Sequence, residues 1–280
     1  MSRHYRFHQL DVFSAEAFLG NPLAVVHDAD DLSWVQMAAF ARWTNLSETT
    51  FLQRPSAAGA DYRVRIFTPG GELPFAGHPT LGSARAWLAA DNTPQNTGEV
   101  VQECGIGLVR VRVAGDRLAF AAPPLRRSGI LDEQLLMTIV AGLKISRSDI
   151  VMHQWVDNGP GWCAVMLRSA EQVLTLQPDM GLLREVKLGV IGPLPAGSAA
   201  MFEVRAFVPG LGVAEDPVTG SLNAGLAVWL IRTGQAPPEF TVSQGQVLKR
   251  RGLVHIERRG DDIWIGGDTM IRIEGSLHIP

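Results

Sequence analysis

Two short stretches of this 280-residue chain set acid–base side chains in similar surroundings: His78-Pro-Thr-Leu-Gly-Ser83 and Asp216-Pro-Val-Thr-Gly-Ser221. Each follows a Phe-x-Pro-Gly turn, Phe67 to Gly70 and Phe207 to Gly210, and each leads into an apolar run ending in Trp-Leu. Both read as helix starts, where unpaired N–H groups and a partial positive charge attract a carboxylate. Gly82 and Gly220 lack a side chain and so allow a ligand close to the backbone. Asp216 before Pro217 is either a helix cap or a catalytic group, because Asp-Pro is a favoured cap and first-turn pair. His78 caps poorly, which points to function. Ser83 and Ser221 read as hydroxyl donors to a ligand or as small packing residues. Glu48, in Asn45-Leu-Ser-Glu-Thr-Thr-Phe51, is either an exposed acid at a strand start or a buried group with a raised pKa, able to trade protons near neutrality.

Other chemistries find less support. Neither serine lies in a Gly-x-Ser-x-Gly elbow. The runs at Gly105 and Gly210 lack the third glycine of a dinucleotide fingerprint, and no phosphate-binding P-loop sequence occurs. His4 and His8 have metal-pair spacing only on a helix, and their surroundings alternate like a strand. Cys104 and Cys163 have no CxxC spacing and read as buried, inert thiols. A formal net charge of -3, with the basic residues dispersed, argues against a nucleic-acid surface. No apolar run has the length of a membrane span and none resembles a signal peptide, so the expectation is a cytoplasmic protein without membrane contact.

The elements that must hold these residues are mostly short strands. Strands are expected over 5–13, 23–26, 49–53, 62–68, 100–103, 108–113 and 118–121, with helices over 33–43 and 80–90. The second half repeats the order, with helices at 131–143 and 218–233 and strands at 162–167, 201–207, 240–242, 253–257, 263–265 and 270–273. Helices 80–90 and 218–233 are apolar on nearly every face, as helices enclosed by a sheet must be. The halves also share Gly20-Asn-Pro-Leu-Ala-Val-Val with Gly159-Pro-Gly-Trp-Cys-Ala-Val, Val101-Gln-Glu-Cys-Gly with Val242-Ser-Gln-Gly, and two Gly-Asp hairpins. Four matches in one order indicate duplication. Pro123 to Gly129 reads as the linker, giving domains 1–125 and 126–280. The fold class expected is α+β: two similar domains, each a barrel-like sheet around a central apolar helix.

Gly20-Asn-Pro-Leu-Ala-Val-Val, Leu46-Ser-Glu-Thr-Thr-Phe-Leu, Phe67-Thr-Pro with Gly77-His-Pro-Thr-Leu-Gly, and Asp216-Pro-Val-Thr-Gly-Ser together resemble the phenazine-biosynthesis PhzF-like family. The resemblance implies the diaminopimelate-epimerase-like fold, an active site between the two domains, no cofactor, no metal and a homodimer. By position it implies that Glu48 moves a proton, that His78 and Asp216 hold substrate and assist the transfer, and that Ser221 and the backbone at Gly77 and Gly220 contact the substrate. Racemases of the wider superfamily use a cysteine at each helix mouth, and neither motif here contains one. The function expected is therefore a cofactor-independent isomerase acting on a small cyclic or unsaturated amino-acid-like carboxylate, with Glu48 as general acid/base. The alternatives are a one-base epimerase or dehydratase of a cyclic amino acid, or a non-catalytic metabolite-binding protein.

Overall fold

A computed structural model of the chain describes residues 3–279. The chain runs β1 (Arg3–Val12), β2 (Asn21–Val26), α1 (Trp34–Thr44), β3 (Glu48–Gln53), β4 (Tyr62–Thr68), β5 (Gly71–Leu73), α2 (Gly77–Ala89), β6 (Glu99–Cys104), β7 (Gly107–Ala114) and β8 (Arg117–Ala121). It continues through α3 (Glu133–Leu143), β9 (Met152–Trp155), β10 (Trp162–Met166), α4 (Ala170–Thr175), β11 (Lys187–Pro193), β12 (Phe202–Phe207), β13 (Glu215–Asp216), α5 (Gly220–Arg232), β14 (Glu239–Gln244), β15 (Gly252–Arg259) and β16 (Asp262–Ile279). The architecture is α+β, built as two similar units around two buried helices.

One compact unit comprises the residues up to Ala121 together with the segment from Gly266; the other is Ala122–Ile265. The boundary expected from sequence at 125/126 leaves the tail with the second half. In the structure the tail is part of β16, a single 18-residue strand rather than the two short ones expected, and its later part pairs antiparallel with β1. That pairing closes an eight-stranded barrel in the first unit, in the order β1-β2-β3-β4-β6-β7-β8-β16.

Within this barrel the pairs β2–β3 and β4–β6 are parallel, while β1–β2, β3–β4, β6–β7, β7–β8 and β1–β16 are antiparallel. Parallel neighbours require a crossover connection. The first crossover is α1, opened by a capping box between Ser33 and Gln36 and stopped by Asn45 in the left-handed region at φ 54°. The second is α2, which runs through the interior: Gly77 through Ala84 and Ala86 are all buried. Gly82 lies in the middle of this helix, where a Cβ would drive into Leu23 of β2. Its bare backbone therefore serves close packing of helix on sheet, and not the approach of a ligand. Ser83 likewise faces the sheet, fully buried, and donates to Thr50 Oγ1 at 3.0 Å.

The second unit repeats the scheme. Its strands follow the order β16-β15-β14-β12-β11-β10-β9, with parallel pairs β10–β11 and β12–β14 bridged by α4 and α5. The helix α4 and strands β9 and β11 carry no strong sequence periodicity and escape a reading by pattern alone. α5 is buried from Gly220 to Leu230, and large apolar side chains such as Leu222 and Trp229 contribute about 1.5–3 kcal/mol each by burial. The Pro123–Gly129 stretch is more than a linker. Ala122 donates to Ile263 O at 2.8 Å and Arg126 to Asp157 O at 2.7 Å, while Trp155 donates to Gly129 O at 2.8 Å. It thus lies along this unit's sheet as an irregular strand, irregular because Pro123 and Pro124 have no N–H for a ladder.

Candidate active site

Glu48 is the first residue of β3 and follows directly from the turn at Asn45 that ends α1. Its parallel partner on β2 is Leu23, two residues beyond Asn21. The side chain is 13% exposed, so it is mostly shielded from water without being sealed. His78 is the second residue of α2, 2% exposed, with Nε2 3.4 Å from Glu48 Oε2. Burial pushes the imidazole down to about 3, so it is neutral at pH 7 and the contact is not an ion pair. On its other side, His78 Nδ1 lies 3.2 Å from the amide nitrogen of Asn21.

The α2 start is held from below rather than capped. Its N-cap residue, Ala76, offers no side chain to the first turn. Thr80 Oγ1 donates to Ala76 O at 2.9 Å and accepts from Gln102 Nε2 at 3.0 Å, and Gln102 Oε1 accepts from Tyr62 at 2.9 Å. This buried chain fixes the first turn while leaving the N–H groups of Gly77 and His78 without a capping side chain, the arrangement that favours a bound carboxylate.

In the second unit, α5 starts at Gly220 with Thr219 as N-cap, again without a side-chain cap. Gln244 Oε1 accepts from Thr219 N at 3.0 Å and from Asn223 Nδ2 at 2.9 Å. Asp216 sits four residues before the helix, at the end of β13, and Thr219 Oγ1 donates to its Oδ2 at 2.6 Å. It does not cap α5. Ser221, the second helical residue, accepts from the Trp162 indole at 3.0 Å through Oγ and from Asn158 Nδ2 at 2.8 Å through its carbonyl.

These contacts set the true register of the duplication. Gly77 matches Gly220, both first in their helices, so Ser221 answers to His78, Asn223 to Thr80, Gly225 to Gly82 and Gln244 to Gln102. A bidentate clamp gives the same register upstream: Arg65 grips Glu72 at 2.7 and 2.6 Å, and Arg205 grips Glu215 at 2.9 and 2.8 Å. By that clamp Asp216 answers to Leu73, not to His78. The textual echo of the two motifs is therefore displaced from the structural repeat.

Among the sequence-derived candidates, Glu48, Gly77 and His78 come together in the first unit, and Asp216, Gly220 and Ser221 belong to the second. Asn21, Gln102, Asn158, Trp162 and Gln244 were not singled out from sequence, although Asn21 lies in the Gly-Asn-Pro motif and the two glutamines in the Val-Gln and Val-Ser-Gln repeats. Neither cysteine lies in a helix start. Burial raises both thiols, Cys163 to about 12, so neither is a thiolate at pH 7; Cys104 is half-exposed rather than buried as expected. Among the described residues no helix is long and apolar enough to cross a membrane.

The comparisons with known proteins agree with this architecture. The family model for phenazine biosynthesis-like proteins, PhzC-PhzF, matches residues 10–275. Antisense-enhancing sequence 1 of Schizosaccharomyces pombe is 36% identical over all of this chain and all of that protein. The trans-2,3-dihydro-3-hydroxyanthranilate isomerase of Pseudomonas aeruginosa is 34% identical, covering 91% of each chain. A crystal structure of a PhzF-family phenazine biosynthesis protein from Enterococcus faecalis superposes with a TM-score of 0.82 at 24% identity, covering 99% of this chain and 100% of that one. With the two barrel-wrapped helices and the family match across nearly its whole length, the chain belongs to the phenazine biosynthesis-like PhzC-PhzF family and is a PhzF-like isomerase.

Proposed function

We propose that this isomerase moves a proton between two carbons of a small cyclic or unsaturated amino-acid-like carboxylate, with Glu48 as the general acid/base. The observation that carries the reading is the placement of a largely shielded Glu48 carboxylate 3.4 Å from a neutral, buried His78 in the first turn of α2. Glu48 takes the proton from one carbon, the double bond shifts, and the same carboxyl group returns the proton to a second carbon on the same face. The N–H groups at the start of α2 suit a substrate carboxylate and oppose the negative charge that develops beside it. His78 stays neutral throughout and donates a hydrogen bond. Asp216, Gly220 and Ser221 contribute further substrate contacts in this reading, as the family resemblance implies. No step calls on a cofactor or a metal. The substrate class is supported by the 34% identity to an isomerase named for a dihydro-hydroxyanthranilate. The same reading takes the protein as a cytoplasmic homodimer that acts on a small molecule.

The test is incubation in heavy water with a panel of dihydroaromatic and cyclic amino acids, followed by mass and chiral analysis of the products. A shifted double bond with retained configuration elsewhere supports isomerisation. Inversion at one carbon supports a one-base epimerase, loss of water a dehydratase, and binding without exchange a non-catalytic protein.

A further inference from the structure

Asn21 opens β2 and is fully buried. Three features fix it in place. Pro22 follows it and restricts its backbone to extended conformations. Its ladder partner on β1 is Val12, beside Asp11 opposite Pro22. The preceding residue, Gly20, donates its N–H to Asp11 Oδ1 at 2.7 Å, at a point where a Cβ would collide with that carboxylate and with the Val12 carbonyl. Asp11 in turn lies 3.7 Å from Arg272 Nε. The Asn21 amide therefore reaches His78 from a rigid mount.

An imidazole that is neutral has one donor nitrogen and one acceptor nitrogen, and the partner of one decides the role of the other. The Asn21 NH2 group faces Nδ1 at 3.2 Å as a donor, which leaves the ring proton on Nε2. Nε2 is the nitrogen turned toward Glu48. We propose that Asn21 is a positioning residue that holds His78 as the Nε2–H tautomer, so that the imidazole donates toward the Glu48 carboxylate and the group it works on. With the opposite tautomer, a ring lone pair would face that carboxylate and repel it. The inference rests on the Glu48 reading for its effect on rate, while its statement about the tautomer stands independently of any activity.

The experiment uses the full chain labelled with 15N-histidine, with the His78 signals assigned by their loss in His78→Gln. In wild type at pH 7 the expected spectrum shows a neutral His78 protonated on Nε2. Asn21→Ala is expected to give a mixture of tautomers, and Asn21→Asp, whose carboxylate accepts from Nδ1–H, a ring protonated on Nδ1. Isomerisation by Asn21→Ala should fall about 10- to 100-fold in kcat with KM little changed. A wild-type His78 protonated on Nδ1, or an unaltered tautomer in Asn21→Ala, overturns the proposal even if Asn21→Asp does not fold. An unaltered kcat despite an altered tautomer overturns it as well. If instead Glu48→Gln retains full activity while the tautomers behave as expected, the Glu48 reading fails and the Asn21–His78 relationship stands.

Discussion

His78 Nε2 and Glu48 Oε2 stand 3.4 Å apart in the first unit, one group neutral because it is buried, the other shielded at the start of a strand. The pairing unites a helix start and a strand start that are 30 residues apart in the chain. In the proposed mechanism the imidazole is a hydrogen-bond donor of fixed charge next to the carboxylate, so that a proton shuttled by Glu48 would not end on it. That is the physical basis for assigning the transfer to one group.

Ser221 occupies in α5 the place that His78 occupies in α2, and its hydroxyl is oriented by the Trp162 indole. Trp162→Phe keeps most of the packing volume and removes that donor. The expected result is a loss of about 1 kcal/mol in stability by urea unfolding, with KM for the substrate raised several-fold and kcat held. An unchanged KM would remove Ser221 orientation from the account.

The matched glycines offer a second check. A Cβ on Gly225 would meet the Val156 backbone carbonyl, which cannot move without disturbing the sheet, whereas one on Gly82 would meet the Leu23 side chain. Both Gly225→Ala and Gly82→Ala overfill a packed interior, and each should destabilise by about 1–3 kcal/mol, Gly225→Ala the more. Thermal or urea denaturation of the two variants gives the order directly.

Stability should also fall in mild acid. Burial holds both His78 and His27 at about 3, below the ordinary 6.5, so the unfolded chain binds protons there that the folded chain refuses. Their contribution is complete above about pH 6.5 and is lost as the pH falls toward 3. Burial raises Glu203 to about 7, so this carboxyl acts in the opposite sense, adding stability as the pH falls from 7 toward its ordinary 4.5. These three groups alone leave a net uptake of about one proton on unfolding near pH 5.5, a slope of about 1.4 kcal/mol per pH unit, and His8 and His153, which burial also lowers, steepen it. Glu203→Gln removes the opposing group and should steepen the slope; urea titrations between pH 4.5 and 7 measure it.

Much of this was legible in the sequence, though not in its true register. The apolar runs after the two motifs locate the buried helices, because a helix inside a barrel must be apolar all round. The likeness of His78-Pro-Thr-Leu-Gly-Ser83 to Asp216-Pro-Val-Thr-Gly-Ser221 aligns Gly82 with Gly220, while the helices themselves align Gly77 with Gly220. The offset escapes a linear reading because it is fixed by contacts from distant strands: Gln102 to Thr80 and Gln244 to Asn223. Asn21 escaped for the same reason, since an asparagine before proline reads locally as a turn. Glu48 and His78 were nameable by residue type and family resemblance, but their proximity depends on α1 and α2 each crossing over between parallel strands.

The central claim concerns Glu48, and isomerisation followed in heavy water tests it most directly. Trans-2,3-dihydro-3-hydroxyanthranilate, or whichever panel member wild type converts, is incubated in heavy water with wild type and with Glu48→Gln, at concentrations where both bind it. The account predicts isomerised product with wild type, carrying deuterium at the newly protonated carbon only in those turnovers in which the Glu48 carboxyl exchanges with solvent before returning the proton, and a conversion rate lower by at least about 100-fold with Glu48→Gln, at similar affinity. Equal conversion rates for the two proteins would contradict it.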